Sequence, residues 1–319
     1  MRIASLLPSA TEMVCAVGAQ ADLVGVSHEC DFPVGVGGLP VLTRTRTTLP
    51  QKSGAIDRAV REMLKDALAV YEVEVDLLRE VAPDVIVTQD LCDVCAVSLS
   101  DVHLALKELD LGHVQIVNLR PNFLQDVWDD LRRVGRALGR NDAGDRAAKE
   151  CERRAQEIAA RALGAIGPDG KRPTVITIEW IEPVMVGGSW MPELVALAGG
   201  ESLLAEPGKH SPTIPMEGLQ AIDPDVVLIK PCGFGLERTT AELELLRESL
   251  PWSSWSAVEG GRVFLADGNA YFNRPGPRLV ESLEILSACI HPEAFLDFRA
   301  KHRGSMKRIT DDLTILDLE

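Results

Sequence analysis

Leu78-Arg79-Glu80-Val81-Ala82-Pro83-Asp84-Val85-Ile86-Val87 and Leu219-Gln220-Ala221-Ile222-Asp223-Pro224-Asp225-Val226-Val227-Leu228 carry the same pattern 141 positions apart. Leu78, Val81, Pro83, Asp84 and Val85 match Leu219, Ile222, Pro224, Asp225 and Val226 at identical spacing. In each copy apolar residues at helical spacing stop before a proline, which cannot continue a helix, and an uninterrupted β-branched run follows. Each copy reads as helix, Pro-Asp turn, buried strand. Two copies of one α/β design in a single chain predict two sheet-based lobes.

The surrounding sequence extends the pattern in both directions. Residues 2–7 form a short apolar run, and Ser9 with Glu12 fits a capping box that opens a helix. Val24 to Ser27 and Val114 to Val117 supply further strands of the first half. In the second half Thr174 to Ile178 reads as a strand, and Pro192 to Ala198 as a helix ending at Gly199-Gly200. Strands that alternate with helices call for parallel sheets covered on both faces. Between the halves, Val127, Leu131, Val134 and Leu138 form one helical stripe, and Ala147, Cys151, Ala155, Ile158 and Ala162 a second. The expected organisation is therefore a first lobe over 1–122, a helical connector over 123–170, a second lobe over 171–292 and a tail over 293–319.

With 319 residues and 46% hydrophobic content the chain can bury two cores, and a net charge of -15 repels phosphate backbones and anionic membranes. Nucleic acid is excluded as an expected partner. No stretch approaches the ~18 apolar residues of a membrane span, so no membrane insertion is expected. The opening Met1 to Pro8 reads as a strand and not as a signal peptide, which makes the expectation for the chain as written cytoplasmic, with a periplasmic or membrane-associated setting if the start is trimmed. Seven cysteines, an odd number, read as reduced thiols.

Parallel sheets present ligands to the loops at the carboxyl ends of their strands, where helix N-termini also point. Those loops hold Ser9, Ala10 and Thr11; His28 and Cys30; Gln89, Asp90, Leu91, Cys92 and Cys95; Glu179 and Trp180; Lys230 to Phe234; and Asp267 to Arg274. Only 4% of the chain is aromatic, yet Trp180, Trp190, Phe234, Tyr271 and Phe272 fall in or near them. Flat rings there suit a large, partly apolar ligand; the alternative is that they plug the ends of each core. Cys92 and Cys95 form a Cys-x-x-Cys pair that, with His28, Cys30 and Cys232, has the soft donors that zinc, cobalt or iron prefer. The competing reading is that these thiols are small apolar fillers, as Cys15, Cys151 and Cys289 on their helical stripes are expected to be. His103, His113, His291 and His302 read as surface or capping residues. No G-x-S-x-G elbow, H-E-x-x-H helix or P-loop lysine accompanies Glu179, Ser9, Thr11 or Ser211, so binding without catalysis is expected.

The opening Arg2-Ile3-Ala4-Ser5-Leu6-Leu7-Pro8-Ser9-Ala10-Thr11-Glu12, the Pro83 to Val87 strand and Ala198-Gly199-Gly200-Glu201 resemble the class III substrate-binding proteins of ABC importers, in particular those with cobalamin-binding or iron-siderophore-binding domains. The likeness covers roughly residues 2–291. It implies two Rossmann-like lobes with parallel sheets joined by a single long helix, here Asp145 to Leu163, and a ligand held in the inter-lobe cleft. It further implies that Ser9 to Thr11, Gln89 to Cys95, Trp180 and Phe272 to Arg274 line the site, with Arg274 meeting a polar edge of the ligand. A corrinoid or related metal complex is the expected ligand, and an ABC permease a possible partner. A naked transition-metal ion held by the cleft His and Cys residues, or a chelatase-like or thiol-redox enzyme, are the alternatives. Oligomeric state is left open by the sequence.

Overall fold

The computed structural model describes residues 1–65, 70–89, 98–109 and 111–317, the side chains of 64 and 65 apart. The chain divides into two compact units, one comprising Met1–Gln51, Ala55–Pro121 and Gln125–Cys151, the other Lys52–Gly54, Asn122–Leu124 and Glu152–Glu319. The division falls inside the helix Asn141–Ala165, which carries the chain from one unit into the next.

The first unit is built on a parallel sheet of β1 (Ile3–Ser5), β2 (Leu23–Val26), β5 (Val85–Gln89) and β6 (Gln115–Leu119) in the order β2-β1-β5-β6. A separate antiparallel pair, β3 (Thr43–Thr45) and β4 (Tyr71–Val73), accompanies it. Ile3, Ala4, Ile86 and Val87 are wholly buried, as a strand with helices on both sides requires. The chain visits β2 on one side of β1 before crossing to β5 on the other, so the strand order reverses between β1 and β5. Ligands of open α/β sheets gather at the carboxyl ends of strands at such a reversal.

The second unit has β7 (Thr174–Trp180), β8 (Met185–Val186), β9 (Glu201–Ser202), β10 (Val226–Ile229), β11 (Val263–Ala266), β12 (Met306–Ile309) and β13 (Ile315–Asp317). The path runs β13-β12-β11-β10-β7-β8, with β9 beside β7, and the reversal lies between β7 and β10. The expected parallel sheet is thus mixed: β8, β12 and β13 pair antiparallel, β8 and β13 after connections too short to cross over. Residues 293–319, set apart above as a tail, supply two strands to this sheet as well as the helix Leu296–Lys301, with Phe295 and Ile309 wholly buried.

The two Pro-Asp turns do the same work in each unit. Asp84 accepts a hydrogen bond from Arg2 N at 2.7 Å and its own amide donates to Arg2 O at 2.8 Å. Asp225 accepts from Thr174 N at 2.8 Å and its amide donates to Thr174 O at 3.0 Å. Each aspartate thereby pins the start of the neighbouring strand, β1 or β7, and sets its register.

The capping box is corrected. The helix spans Pro8–Ala16 with Leu7 at its N-cap and no side-chain cap. Proline is favoured at the first helical position, where it has no amide to satisfy, so the helix begins before Ser9 and takes that residue inside.

Candidate functional site

In the second unit the reversal between β7 and β10 places Glu179 and Lys230 side by side. Lys230 is wholly buried, and its Nζ donates to Glu179 Oε2 at 2.6 Å and to Asn273 Oδ1 at 2.8 Å. Glu179 Oε1 accepts from Ser211 Oγ at 2.6 Å, and Ser211 Oγ in turn accepts from Gly188 N at 3.0 Å. Asn273 Nδ2 donates to Lys230 O at 3.1 Å and Gly268 O at 2.9 Å. A buried ammonium is tolerable only with a charged partner and hydrogen bonds in place, and all are present. The network locks the carboxyl ends of β7 and β10 to the 267–274 loop. Its backbone is crowded: a Cβ on Gly268 would stand 2.1 Å from Pro231 O, so only glycine fits there.

The aromatic residues divide. Trp190, Phe234 and Phe272 are buried. Trp190 Nε1 donates to Phe272 O at 2.8 Å, while Phe272 N donates to Ser282 Oγ at 2.9 Å and adopts φ 64°. Trp180 and Tyr271 are half-buried. Trp180 rests edge-on against Phe234 at 5.3 Å, and Arg238 covers the Phe234 ring at 3.8 Å. Arg274 is buried, donating to Asn269 Oδ1 at 3.1 Å. Cys232 is half-buried and holds its amide 3.0 Å from Glu179 O.

In the first unit Ser9, Ala10, Thr11 and Gln89 are all buried. Thr11 Oγ1 donates to Ser5 Oγ at 2.8 Å and lies 3.1 Å from Cys30 Sγ. His28 Nδ1 is 2.7 Å from Thr43 Oγ1, and Thr43 Oγ1 is 3.1 Å from Ser27 Oγ. Partial desolvation draws the His28 imidazole below its usual pKa against the opposing charge of Glu29, which favours the neutral, ligating form at neutral pH. Among the described residues of this unit, Ser9 Oγ, Thr88 Oγ1 and Gln89 Oε1, together with Asn118 Oδ1 and Asp130 Oδ2, are shielded from solvent and have no hydrogen-bond partner. Each such atom costs about 1–3 kcal/mol.

Asp90, Leu91, Cys92 and Cys95 lie outside the described residues. Among the described residues no group of three His, Cys, Asp or Glu side chains is arranged to hold an ion. Cys30 and Cys232 belong to different units, so neither unit assembles the expected donor set from its described residues. Burial raises the thiol of Cys15 to about 11, with Glu12 and Cys30 adding to it, and that of Cys289 to about 12.

Sequence reasoning placed Lys230 in a ligand-facing loop without naming it a site residue. His302, expected as a surface or capping residue, caps the C-terminus of the helix Leu296–Lys301 and is buried there, its Nε2 2.6 Å from Glu284 Oε2.

These features define a two-lobed α/β binding protein of the class III type, with polar groups gathered where each strand order reverses. A family model for periplasmic binding proteins matches residues 3–270, and the chain belongs to that family. It is 24% identical over 300 residues to the uncharacterized ABC transporter substrate-binding lipoprotein YvrC of Bacillus subtilis (strain 168), covering 92% of this chain and 81% of that protein. Among solved structures it resembles a periplasmic heme binding protein from Pseudomonas aeruginosa, with a TM-score of 0.68, 21% identity, and coverage of 100% of this chain and 98% of that one. The periplasmic vitamin B12 binding protein BtuF of Vibrio cholerae gives 0.62 and 18%, covering 92% of this chain and 97% of that one. A lipoprotein and two periplasmic proteins among these relatives give the cytoplasmic expectation no support.

Proposed function

We propose that this protein is the substrate-binding component of an ABC importer, acting outside the cytoplasm, and that its ligand is a corrinoid or a related metal-centred macrocycle. The family and the YvrC relative support the importer role. Neighbours of the same fold that bind vitamin B12 or heme support the ligand class.

The observation that carries a binding role is the set of orphaned oxygens at Ser9, Thr88 and Gln89. They sit at the carboxyl side of the β1/β5 reversal, where this fold type presents ligands. A protein that leaves buried acceptors unpaired gives up stability for function, and the natural partner is a ligand donor such as the amide rim of a corrinoid. The Lys230 network of the second unit supplies the rigid counterpart: a constellation whose rotamers are already fixed binds without a large ordering cost. Ligand exchange without turnover is the expected activity.

The test is a pair of variants, Gln89→Met and Ser9→Ala, titrated with dicyanocobinamide and hemin. Removing an orphaned oxygen raises the unfolding free energy by about 1 kcal/mol and weakens binding of one probe by roughly tenfold. Variants that lose stability while binding both probes as the parent does contradict the assignment.

A further inference from the structure

The segment after residue 290 does more than extend the second sheet. It reaches back to the 267–274 loop at two points. Asp267 N donates to Ser305 O at 3.0 Å, and Asp267 Oδ1 then accepts from Asn269 N at 2.9 Å and Ala270 N at 2.8 Å, shaping the turn that leads to Tyr271. The second point is a ring contact: the Tyr271 and His302 rings meet edge to face, 6.1 Å apart at 83°. That separation and angle suit the attraction of a ring edge for a ring face.

His302 is itself fixed. Its Nε2 lies 2.6 Å from Glu284 Oε2, which also accepts from Lys301 Nζ at 2.6 Å, while Glu284 Oε1 accepts from Arg154 Nη2 at 2.7 Å. Glu284 and His302 are both about 95% shielded from solvent. A carboxylate that could be satisfied by Arg154 and Lys301 alone takes a third, buried partner whose ring also meets Tyr271. Arg278 also lies over the Tyr271 ring at 5.6 Å, so two side chains contact the phenol, which remains half-buried itself.

We infer that His302 is a positioning residue for Tyr271: the C-terminal segment uses the Glu284-held imidazole to set the Tyr271 ring at the loop that also supplies Asn273 to the Lys230 network. The consequence for ligand affinity rests on the binding role proposed above; the positioning itself does not. Two conservative variants separate the ring from the hydrogen bond. His302→Phe keeps a ring beside Tyr271 and gives up the bond to Glu284, whereas His302→Gln keeps a hydrogen-bonding group and gives up the ring.

The chain has two tyrosines, Tyr71 and Tyr271, so fluorotyrosine labelling yields two fluorine resonances, assigned with Tyr71→Phe. In His302→Gln the Tyr271 resonance moves and broadens; in His302→Phe it stays sharp, although the latter loses more stability. Against dicyanocobinamide and hemin, His302→Gln weakens the probe that the parent binds by roughly two- to tenfold, the range of one aromatic contact, while His302→Phe stays within about twofold. A Tyr271 resonance unchanged in His302→Gln overturns the inference, as does an equal disturbance by both variants, which would mark His302 as merely structural. If the parent binds neither probe, the ligand assignment fails, and the fluorine resonance still decides the positioning role.

Discussion

Lys230 holds its ammonium 2.6 Å from the Glu179 carboxylate although none of its own surface reaches solvent. The pair joins the ends of β7 and β10 at the reversal of strand order, with Ser211 bonded to the carboxylate and Asn273 to the ammonium. Glu179 remains about a quarter exposed, so solvent shares in stabilising it, whereas the lysine depends on the protein alone.

That asymmetry sets the outcome of substitution. Glu179→Gln leaves a buried ammonium with only neutral partners and lowers the unfolding free energy by about 2–4 kcal/mol, part of the loss being relieved by Asn273 and by water at the exposed side. Adding Lys230→Met removes the stranded charge and recovers most of it. Urea melts with unchanged slope read both effects; a double variant no more stable than Glu179→Gln would contradict the account.

Gly268 is the backbone counterpart of this network. A Cβ there would meet Pro231 O at 2.1 Å and Lys230 C and O at 2.7 Å, all main-chain atoms that cannot rotate away. Gly268→Ala is expected to cost about 1–3 kcal/mol and to shift the 267–274 loop. A thermal midpoint equal to the parent would show that the loop has slack the structure does not have.

Glu284 predicts a pH dependence with a definite sign. Burial works against its ionisation, but the hydrogen bonds from His302, Lys301 and Arg154 prevail and bring its pKa down from 4.5 to about 2. A depressed folded-state pKa stabilises the fold above the unfolded value and loses that contribution as pH falls through the folded one. About 3 kcal/mol is therefore present above pH ~4.5 and lost as the pH approaches ~2. Glu284→Gln should be less stable at neutral pH and show a flatter acid limb. Parallel acid limbs in the two proteins would sink the assignment.

Thiol reactivity gives a further check. With burial holding Cys289 at about 12 and Cys15 at about 11, neither supplies appreciable thiolate at pH 8. Brief alkylation of the native protein at pH 8, followed by peptide mapping, should leave both unmodified, and labelling in denaturant should modify both. Native modification of Cys289 would mean that the second unit opens readily.

The fold was legible because its signal is local. Pro83-Asp84 and Pro224-Asp225 each sit between a helical stripe and a β-branched run, and each aspartate closes onto the start of the neighbouring strand. The site was legible only as a set of loops. Glu179, Gln89 and Thr11 were singled out because strand ends are where ligands gather. The burial of Lys230 and His302 left no local signal, since their partners Asn273 and Glu284 lie 43 and 18 positions away. Ser9 was misread because two local rules compete, and Pro8 at the first helical position overrides the capping box. The rings of Trp190, Phe234 and Phe272 fit either a ligand wall or a core plug by composition, because both settings take the same buried, flat side chains.

The most direct measurement is to purify the protein anaerobically, determine its metal content, and titrate the apo protein calorimetrically with dicyanocobinamide, cyanocobalamin and hemin while recording absorption spectra. The account predicts saturable one-to-one binding of at least one of these macrocycles by protein that carries no metal of its own. Tightly held zinc, iron or cobalt with no heat and no spectral change from any macrocycle would contradict it, and would transfer the case to an ion held by the cysteines and His28.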